Sequence, residues 1–146
     1  MNSTINYLIE PCTVYDFKRV GELIQEFELD NRNLTPEQFL VIKHDSEIIA
    51  FGRVLEHDSC SEICSLGVIN NKRNQGLAKN MMMALIQKAT KPIYIVSILP
   101  KYFVAMGFQM CEDFPEIIQS KLNYCTGSLP VDEKYMAMKW PIATNK

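Results

Sequence analysis

The sequence predicts a mixed α/β fold in which helices pack on one central sheet. The first observation is size and composition: 146 residues, of which 47% are hydrophobic and 22% charged, suit a globular domain and exclude a disordered chain or a collagen-like fibre. The second is that apolar segments of strand length alternate with segments of helical periodicity, in the order β-α-β-β-β-α-β-α-β-β. The third is the absence of repeats and flexible linkers, which predicts a single domain over residues 1–146.

The first half of the chain begins with a predicted strand at residues 5–10 and an amphipathic helix at residues 14–29. Thr13 is the predicted N-cap of this helix, and Asp16 occupies the capping-box position. A meander of three strands follows, and Asp45–Ser46 forms the tight turn of its first hairpin. The three strands of the meander are predicted at residues 39–44, 47–56 and 62–69.

The second half places an apolar strand between two helices. The segment 75–90 has apolar residues on one helical face, and Pro92 ends it. Residues 93–98 form a continuous apolar run, which is typical of a strand buried on both faces. The remaining predicted elements are a short helix at about 101–106 with Gly107 after its end, a strand from Phe108 to Cys111, a helical or irregular segment at 114–123 and a last strand at 134–140.

Charge and hydropathy argue against several classes of function. The 15 basic and 17 acidic residues give a net charge of −2, so there is no global basic field for nucleic acid. The apolar runs are far shorter than the roughly 20 residues of a membrane-spanning helix. The N-terminal residues lack the basic and apolar regions of a secretory signal, which favours a cytoplasmic protein.

The cysteines point to the same compartment. There are five of them, an odd number, and no C-x-x-C motif is present. Cys60 and Cys64 have only His57 nearby, on the same short segment, so no metal site is expected. We predict buried or half-buried free thiols in a reducing environment.

The most informative segment is VINNKRNQGLAKNMM at residues 68–82, where a predicted strand leads into a helix. The first turn of a helix has unpaired N–H groups and a partial positive charge. Gly76 and Ala78 would let the oxygens of an anion approach the backbone, and Lys72 and Arg73 add positive charge. These features predict a phosphate-binding turn. On local grounds alone, a plain helix entry with a solvated basic pair is an equal alternative.

The segment R-N-Q-G-L-A at residues 73–78 matches the pattern R/Q-x-x-G-x-G/A, and the sequence here resembles the GNAT superfamily of acyl-CoA-dependent N-acyltransferases. Further segments, E-I-C-S-L-G-V before the loop, Y-F-V-A-M-G-F at 102–108 and F-G-R-V at 51–54, resemble family segments in the same order. The resemblance covers about residues 5–112. It implies a GNAT-like central mixed, mostly antiparallel sheet of six to seven strands with about four helices.

The resemblance also implies acetyl-CoA as co-substrate and a set of residues that would bind it. The pyrophosphate of coenzyme A would contact mainly backbone N–H groups of the loop. The pantetheine arm would meet the backbone of the preceding strand, where Gly67 suits a bulge or a close backbone approach. The implied residues are Arg73, Asn74, Gln75, Gly76, Leu77 and Ala78 in the loop, Leu66, Gly67 and Val68 in the strand, and Phe103 near the thiol end.

Acyl transfer to an amine needs a base, because most free amines are protonated at neutral pH. By resemblance Glu62 is the candidate base, and a merely solvated glutamate at a strand start is the alternative. The family position of the acid holds Phe103, which cannot donate a proton. The neighbouring Tyr102 is the remaining candidate acid, although on a helix it points about 100° away. Departure of the thiolate to solvent is the other route.

The signature around Phe103 is similar to that of N-acetylglutamate synthase-type members, which implies an amino-acid-like amine as substrate. Arg53 is a candidate ligand for its carboxylate, with a pairing to an acid such as Asp58 as the equal alternative. The predicted function is N-acetyl transfer to a small primary amine, without nucleic-acid or membrane partners. The alternatives are a coenzyme A-binding module without catalysis, a protein or peptide N-acetyltransferase, and an interaction protein. The sequence leaves the oligomeric state open, with a homodimer as one option.

Overall fold

The structure is a computed structural model that describes residues 7–128 and 133–141. Within these residues it has seven strands and four α-helices, which confirms the mixed, mostly antiparallel sheet. The strands are β1 Ile9–Pro11, β2 Phe39–His44, β3 Glu47–Glu56, β4 Ser61–Val68, β5 Ile93–Ser97, β6 Gln109–Met110 and β7 Met136–Lys139. The helices are α1 Val14–Glu26, α2 Leu77–Lys88, α3 Pro100–Met106 and α4 Glu116–Ser128.

The seven strands form one sheet in the order β1-β2-β3-β4-β5-β7-β6. The pairs β1/β2, β2/β3, β5/β7 and β6/β7 are antiparallel, whereas β4 and β5 are parallel. Parallel neighbours need a crossover connection, and α2 lies in that connection. The described pairing of β4 with β5 joins Ser61 to Ile93 and Glu62 to Tyr94, while β4 continues to Val68.

Backbone contacts divide the chain into two compact units. The first consists of Met1–Arg53 and Ser65–Leu85, and the second of Val54–Cys64 and Ile86–Lys146. Both β3 and β4 run through the two units. The single domain over residues 1–146 therefore stays a prediction.

The core of the first unit lies between α1 and strands β2 and β3. Val20, Leu23 and Ile24 are buried on one face of α1, as the helical periodicity predicts. They pack with Phe39 of β2 and Phe51 of β3, among other apolar residues. Burial of this apolar stripe, more than intrinsic propensity, stabilises the helix.

Local signals fix the ends of these elements. Thr13 Oγ1 accepts the Asp16 N–H at 3.1 Å and Asp16 Oδ2 accepts the Thr13 N–H at 3.1 Å, which confirms the capping box. The helix ends earlier than predicted, because Glu28 has a left-handed φ of 56°. Asp45 and Ser46 also have positive φ values, 53° and 68°, as a two-residue hairpin turn requires.

The second unit has its own apolar cluster, formed by Cys60, Ile118 and Ala137 with half-buried neighbours. In β5, Ile93 is buried, whereas Tyr94 on the other face is half-buried and packs against this cluster. One face of β5 is therefore well covered and the other only partly, which differs from the predicted burial on both faces. The segment predicted as helical or irregular is the regular helix α4.

The remaining element ends differ from prediction by a few residues. Residues 5 and 6 of the predicted first strand lie outside the described residues. All five cysteines are free, and each is buried or half-buried, which confirms the predicted thiols. In the part of the chain that the structure describes, no helix is long and apolar enough to cross a membrane. In the same part, no group of three His, Cys, Asp or Glu side chains could hold a metal ion.

Candidate functional site

The predicted phosphate-binding loop lies between β4 and α2. A short 3₁₀ turn at Asn70–Lys72 follows β4, and α2 begins at Leu77. Asn74 and Gly76 have left-handed φ values of 64° and 83°, a conformation that glycine adopts freely and asparagine tolerates. The Gly76 carbonyl accepts the N–H of Asn80 at 3.0 Å, which is the first turn of the helix. The unpaired N–H groups in the first turn of α2 therefore follow directly after this exposed loop in the chain.

The side chain of Arg73 connects the loop to other residues of the first unit. Its Nε donates to the carbonyl of Val68 at 2.9 Å. Its guanidinium lies over the Phe27 ring, 5.5 Å from the ring centroid, in a cation–π contact. Arg73 was expected to contribute backbone groups and rim charge, and the structure adds a positioning role for its side chain.

The backbone of β4 is irregular at Ser65. Its φ of 51° lies in the left-handed region, which costs a non-glycine residue about 1–3 kcal/mol and persists only where the surroundings enforce it. Ser65 Oγ donates to the Asp30 carbonyl at 2.9 Å, which is one such constraint. The left-handed residue of this strand is thus Ser65 and not Gly67, where a bulge was one expectation.

Gly67 is instead required by close packing. A Cβ atom at this position would lie 2.5 Å from Cζ of Phe51 and 2.9 Å from Cδ2 of Phe27. These distances are far shorter than a van der Waals contact, so only glycine fits beside the two rings. Gly67 is therefore needed for packing against two aromatic rings of its own unit, whereas a close approach of its backbone to the pantetheine arm stays a prediction.

Glu62 is buried in the second unit, with 2% of its surface exposed. Its Oε2 accepts a hydrogen bond from Nζ of Lys121 at 2.7 Å, and its Oε1 lies 2.9 Å from Nε2 of His57. Lys121 is also buried, whereas 22% of the His57 side chain is exposed. Glu62 is therefore not the solvated glutamate that the sequence left open as an alternative.

Neither partner of Glu62 was among the sequence predictions. A turn closed by a 2.8 Å hydrogen bond from the His57 N–H to the Cys60 carbonyl places His57 next to Glu62. A histidine and a glutamate flanking a tight turn were the available signal. For Lys121 the signal was its spacing from Ile118 and Cys125, because a lysine in the apolar stripe of a helix needs a partner.

Arg53 is fully buried in the first unit. Its Nε donates to Oε1 of Gln38 at 2.8 Å, and a terminal nitrogen donates to the backbone carbonyls of Arg32 and Asn33. The guanidinium also lies 5.8 Å from the ring centroid of Phe39. These contacts tie the segment before β2 to β3. These contacts were not among the sequence expectations for Arg53, which were a carboxylate ligand and a pairing with an acid such as Asp58.

The helix α3 carries the two aromatic residues of the predicted thiol end. The ring centroids of Phe103 and Phe108 are 6.0 Å apart, and those of Phe108 and Trp140 are 5.1 Å apart. Tyr102 is 44% exposed and touches Phe103 edge-on at 5.1 Å. Phe103 and Phe108 therefore anchor this helix, and the phenol of Tyr102 stays on the outside.

Residues 4–108 match the sequence profile of the acetyltransferase (GNAT) family. The chain belongs to the GNAT acetyltransferase family. The matched region contains the loop between β4 and α2 together with Glu62. In a comparison with curated proteins, no sequence matches that of this GNAT chain.

Several solved structures share the GNAT fold with this chain. N-acetylglutamate synthase from Neisseria gonorrhoeae, complexed with coenzyme A and N-acetyl-glutamate, is 14% identical with a TM-score of 0.74, covering 96% of this chain and 36% of that one. A Mycobacterium tuberculosis protein in complex with CoA is 13% identical with a TM-score of 0.74, and the match covers 92% of this chain and 99% of that one. An acyl-CoA N-acyltransferase from Pseudomonas aeruginosa is 17% identical with a TM-score of 0.66, and the match covers 92% of this chain and 97% of that one. The chain thus spans about a third of the Neisseria enzyme.

The GNAT co-substrate is acetyl-CoA, and the loop between β4 and α2 suits its pyrophosphate. A Cβ atom at Gly76 would meet no other atom within 4 Å, so the backbone is open to a ligand there. Arg73, Asn74 and Gln75 are exposed beside it. Open backbone donors at a helix start, with a basic side chain next to them, are what an anion of two phosphates requires.

Proposed function

We propose that this chain transfers an acetyl group from acetyl-CoA to a primary amine of a small, amino-acid-like molecule by direct attack. The observation that carries the proposal is the open, left-handed Gly76 at the start of α2, within a GNAT motif. When bound, acetyl-CoA supplies the activated acetyl group. The residues of this chain bind it, orient the amine and take up a proton.

Two segments of the first unit are proposed to hold the co-substrate. Arg73 to Ala78 would bind the pyrophosphate, mainly through backbone N–H groups. Leu66, Gly67 and Val68 at the end of β4 would contact the pantetheine arm through their backbone. Phe103 on α3 is the proposed contact near the thiol end.

Glu62 is proposed as the base. The amine nitrogen bonds to the acyl carbon as the carbon–sulfur bond breaks, and the proton lost by the amine goes to the carboxylate. The sulfur leaves as the coenzyme A thiolate. Two observations support Glu62: it lies on the strand that carries the proposed pantetheine contacts, and Lys121 compensates its buried negative charge.

An amino-acid-like amine is the proposed acceptor. The N-acetylglutamate synthase of N. gonorrhoeae, which shares the fold, was crystallised with N-acetyl-glutamate. The signature Y-F-V-A-M-G-F is a second support, from the sequence itself. We propose no carboxylate-binding role for Arg53, because its guanidinium is buried and bonded to backbone carbonyls.

The runner-up is a module that binds coenzyme A without catalysis. It is favoured by Phe103 at the family's acid position and by the engagement of both carboxylate oxygens of Glu62. Calorimetry with acetyl-CoA, followed by a panel of amines assayed for thiol release, separates the two. Binding with amine-dependent thiol release supports the enzyme, and binding without release supports the module.

Replacement of Gly76 by tryptophan should lower acetyl-CoA affinity at least tenfold, about 1.4 kcal/mol. The reason is that a large side chain would cover the open backbone and would be strained at a φ of +83°. Calorimetric titration with acetyl-CoA measures the effect. Gly21→Trp is the matched control, because Gly21 lies on α1 with no atom within 4 Å of a built Cβ, and its affinity should be unchanged. Unchanged affinity in a folded Gly76→Trp variant would contradict the assignment of this loop.

Replacement of Tyr102 by phenylalanine should change turnover by less than about tenfold, whereas a general acid typically contributes about 10²–10⁴-fold. The phenol is exposed and Phe103 anchors the helix, so we expect Tyr102 to face away from the leaving group. The measurement is turnover with saturating acetyl-CoA, against wild type. A larger loss at an unchanged melting temperature would instead make Tyr102 the acid.

A further inference from the structure

Glu62, His57 and Lys121 form a cluster in which one member reaches the solvent. The side chains of Glu62 and Lys121 are 3% and 6% exposed, whereas that of His57 is 22% exposed. The three come from β4, from the turn before it and from α4. The imidazole is therefore the outer end of a short hydrogen-bonded path that begins at a buried carboxylate.

A buried base that takes a proton in every turnover must also lose it. Oε2 of Glu62 faces the ammonium of Lys121, which has three N–H donors and no acceptor while it is charged. Oε1 faces Nε2 of His57, and a neutral imidazole has one nitrogen that accepts a proton. Of the two partners, only His57 combines an accepting atom with contact to water.

We propose that His57 carries to solvent the proton that Glu62 takes from the amine, an inference that rests on the proposed function. The O–H bond of the protonated Glu62 breaks at Oε1 and an N–H bond forms at Nε2 of His57. The imidazolium then releases its Nδ1 proton to water. Before Glu62 gives up the next proton, exchange with water moves the remaining imidazole proton from Nε2 to Nδ1, so that Nε2 can accept again. Glu62 is left as a carboxylate, ready for the next amine, and one proton leaves the protein per acetyl group transferred.

Other titratable groups of the second unit lie near this path. On the neighbouring strand end, Glu56 accepts hydrogen bonds from Ser61 and Thr90; burial opposes their effect, yet the pKa of Glu56 stays below its usual value. Lys91 pairs with Glu56 at 3.5 Å. The thiol of Cys60 also lies near the path, and its pKa is raised by burial and then by Glu62 and Glu56. Burial likewise raises the pKa of Tyr135, which lies near Lys121. Asp58, next to His57 in the turn, is exposed.

Two substitutions of His57 separate proton transfer from a structural role. Glutamine keeps an N–H donor for Glu62 but cannot carry a proton, and alanine leaves space for free imidazole. We expect each substitution to lower turnover about 10–10²-fold at pH 7 and to leave the KM for acetyl-CoA unchanged. This loss of turnover is at or below the lower end of the range typical of proton-transfer residues. Added imidazole should restore turnover of His57→Ala in proportion to its concentration. His44→Ala is the matched control, because His44 lies exposed in the β2–β3 hairpin and contacts Asp45 and Tyr7.

The outcomes distinguish the relay from the function on which it rests. Full turnover of His57→Gln would overturn the relay, because a hydrogen bond to Glu62 would then suffice. A loss in His57→Ala that imidazole does not restore would overturn it too, leaving His57 as a structural contact. If wild type binds acetyl-CoA but releases no thiol with any amine, the proposed function fails and the relay fails with it.

Discussion

Replacement of Glu62 by glutamine should lower turnover about 10²–10⁴-fold while acetyl-CoA affinity stays nearly unchanged. The amide cannot accept the proton of the attacking amine, whereas the proposed co-substrate contacts lie elsewhere, in the loop and at the end of β4. The loss should shrink as the pH is raised, because the amine then loses its proton without a base. Turnover measured from pH 7 upward, with a calorimetric titration of acetyl-CoA, checks both statements.

Glu56→Gln is the matched control for this experiment. Glu56 is also a glutamate of the second unit with hydrogen bonds to both oxygens, from Ser61 and from the Thr90 N–H, but it has no place in the proposed reaction. The same change there should leave turnover near that of wild type. A Glu62→Gln variant with the wild-type rate at pH 7 would remove Glu62 from the mechanism.

Replacement of Lys121 by methionine should lower the free energy of unfolding by about 3–5 kcal/mol at neutral pH. Methionine fills much of the same volume, so the main change is that the buried carboxyl group of Glu62 loses the ammonium at 2.7 Å. Because Glu62 is buried, water cannot replace the hydrogen bond that its carboxyl group loses. Urea denaturation of the variant and of wild type measures the difference.

Two further variants test this explanation. In Lys121→Met/Glu62→Gln no buried charge is left at this position, so much of the stability should return. Lys18→Met removes the lysine of an exposed ion pair with Glu22 on α1, and it should have little effect. A Lys121→Met protein as stable as wild type would show that the buried pair does not stabilise the fold.

Much of the fold could be predicted because its signals are local. The capping box joins Thr13 to Asp16, and the hairpin turn needs only Asp45 and Ser46. The loop from Arg73 to Ala78 was predicted for the same reason, since a short motif contains its glycine and its basic residue. The end of α1 was predicted too late because nothing in the sequence marks Glu28 for a left-handed backbone.

Predictions about side-chain partners were less successful, because those partners are distant in the sequence. The hydrogen bond from Lys121 to Glu62 spans 59 positions, and that from Arg53 to the Arg32 carbonyl spans 21. Periodicity shows that a residue is buried but not which residue faces it across a sheet or from a helix. Sequence patterns could therefore mark Lys121 as buried and place His57 at a turn before Glu62, but they could not identify the contacts of Glu62 and Arg53 across the fold.

The sequence by itself determined the mixed sheet, the order of its main elements and the turn between β4 and α2, because hydrophobic period, caps and turn residues act over a few positions. Only the tertiary structure decided that Glu62 is buried between His57 and Lys121, that Arg53 holds backbone carbonyls and that Gly67 is needed beside two aromatic rings. The physical reason is that burial and hydrogen bonding depend on which distant segments the folded chain brings within a few ångströms.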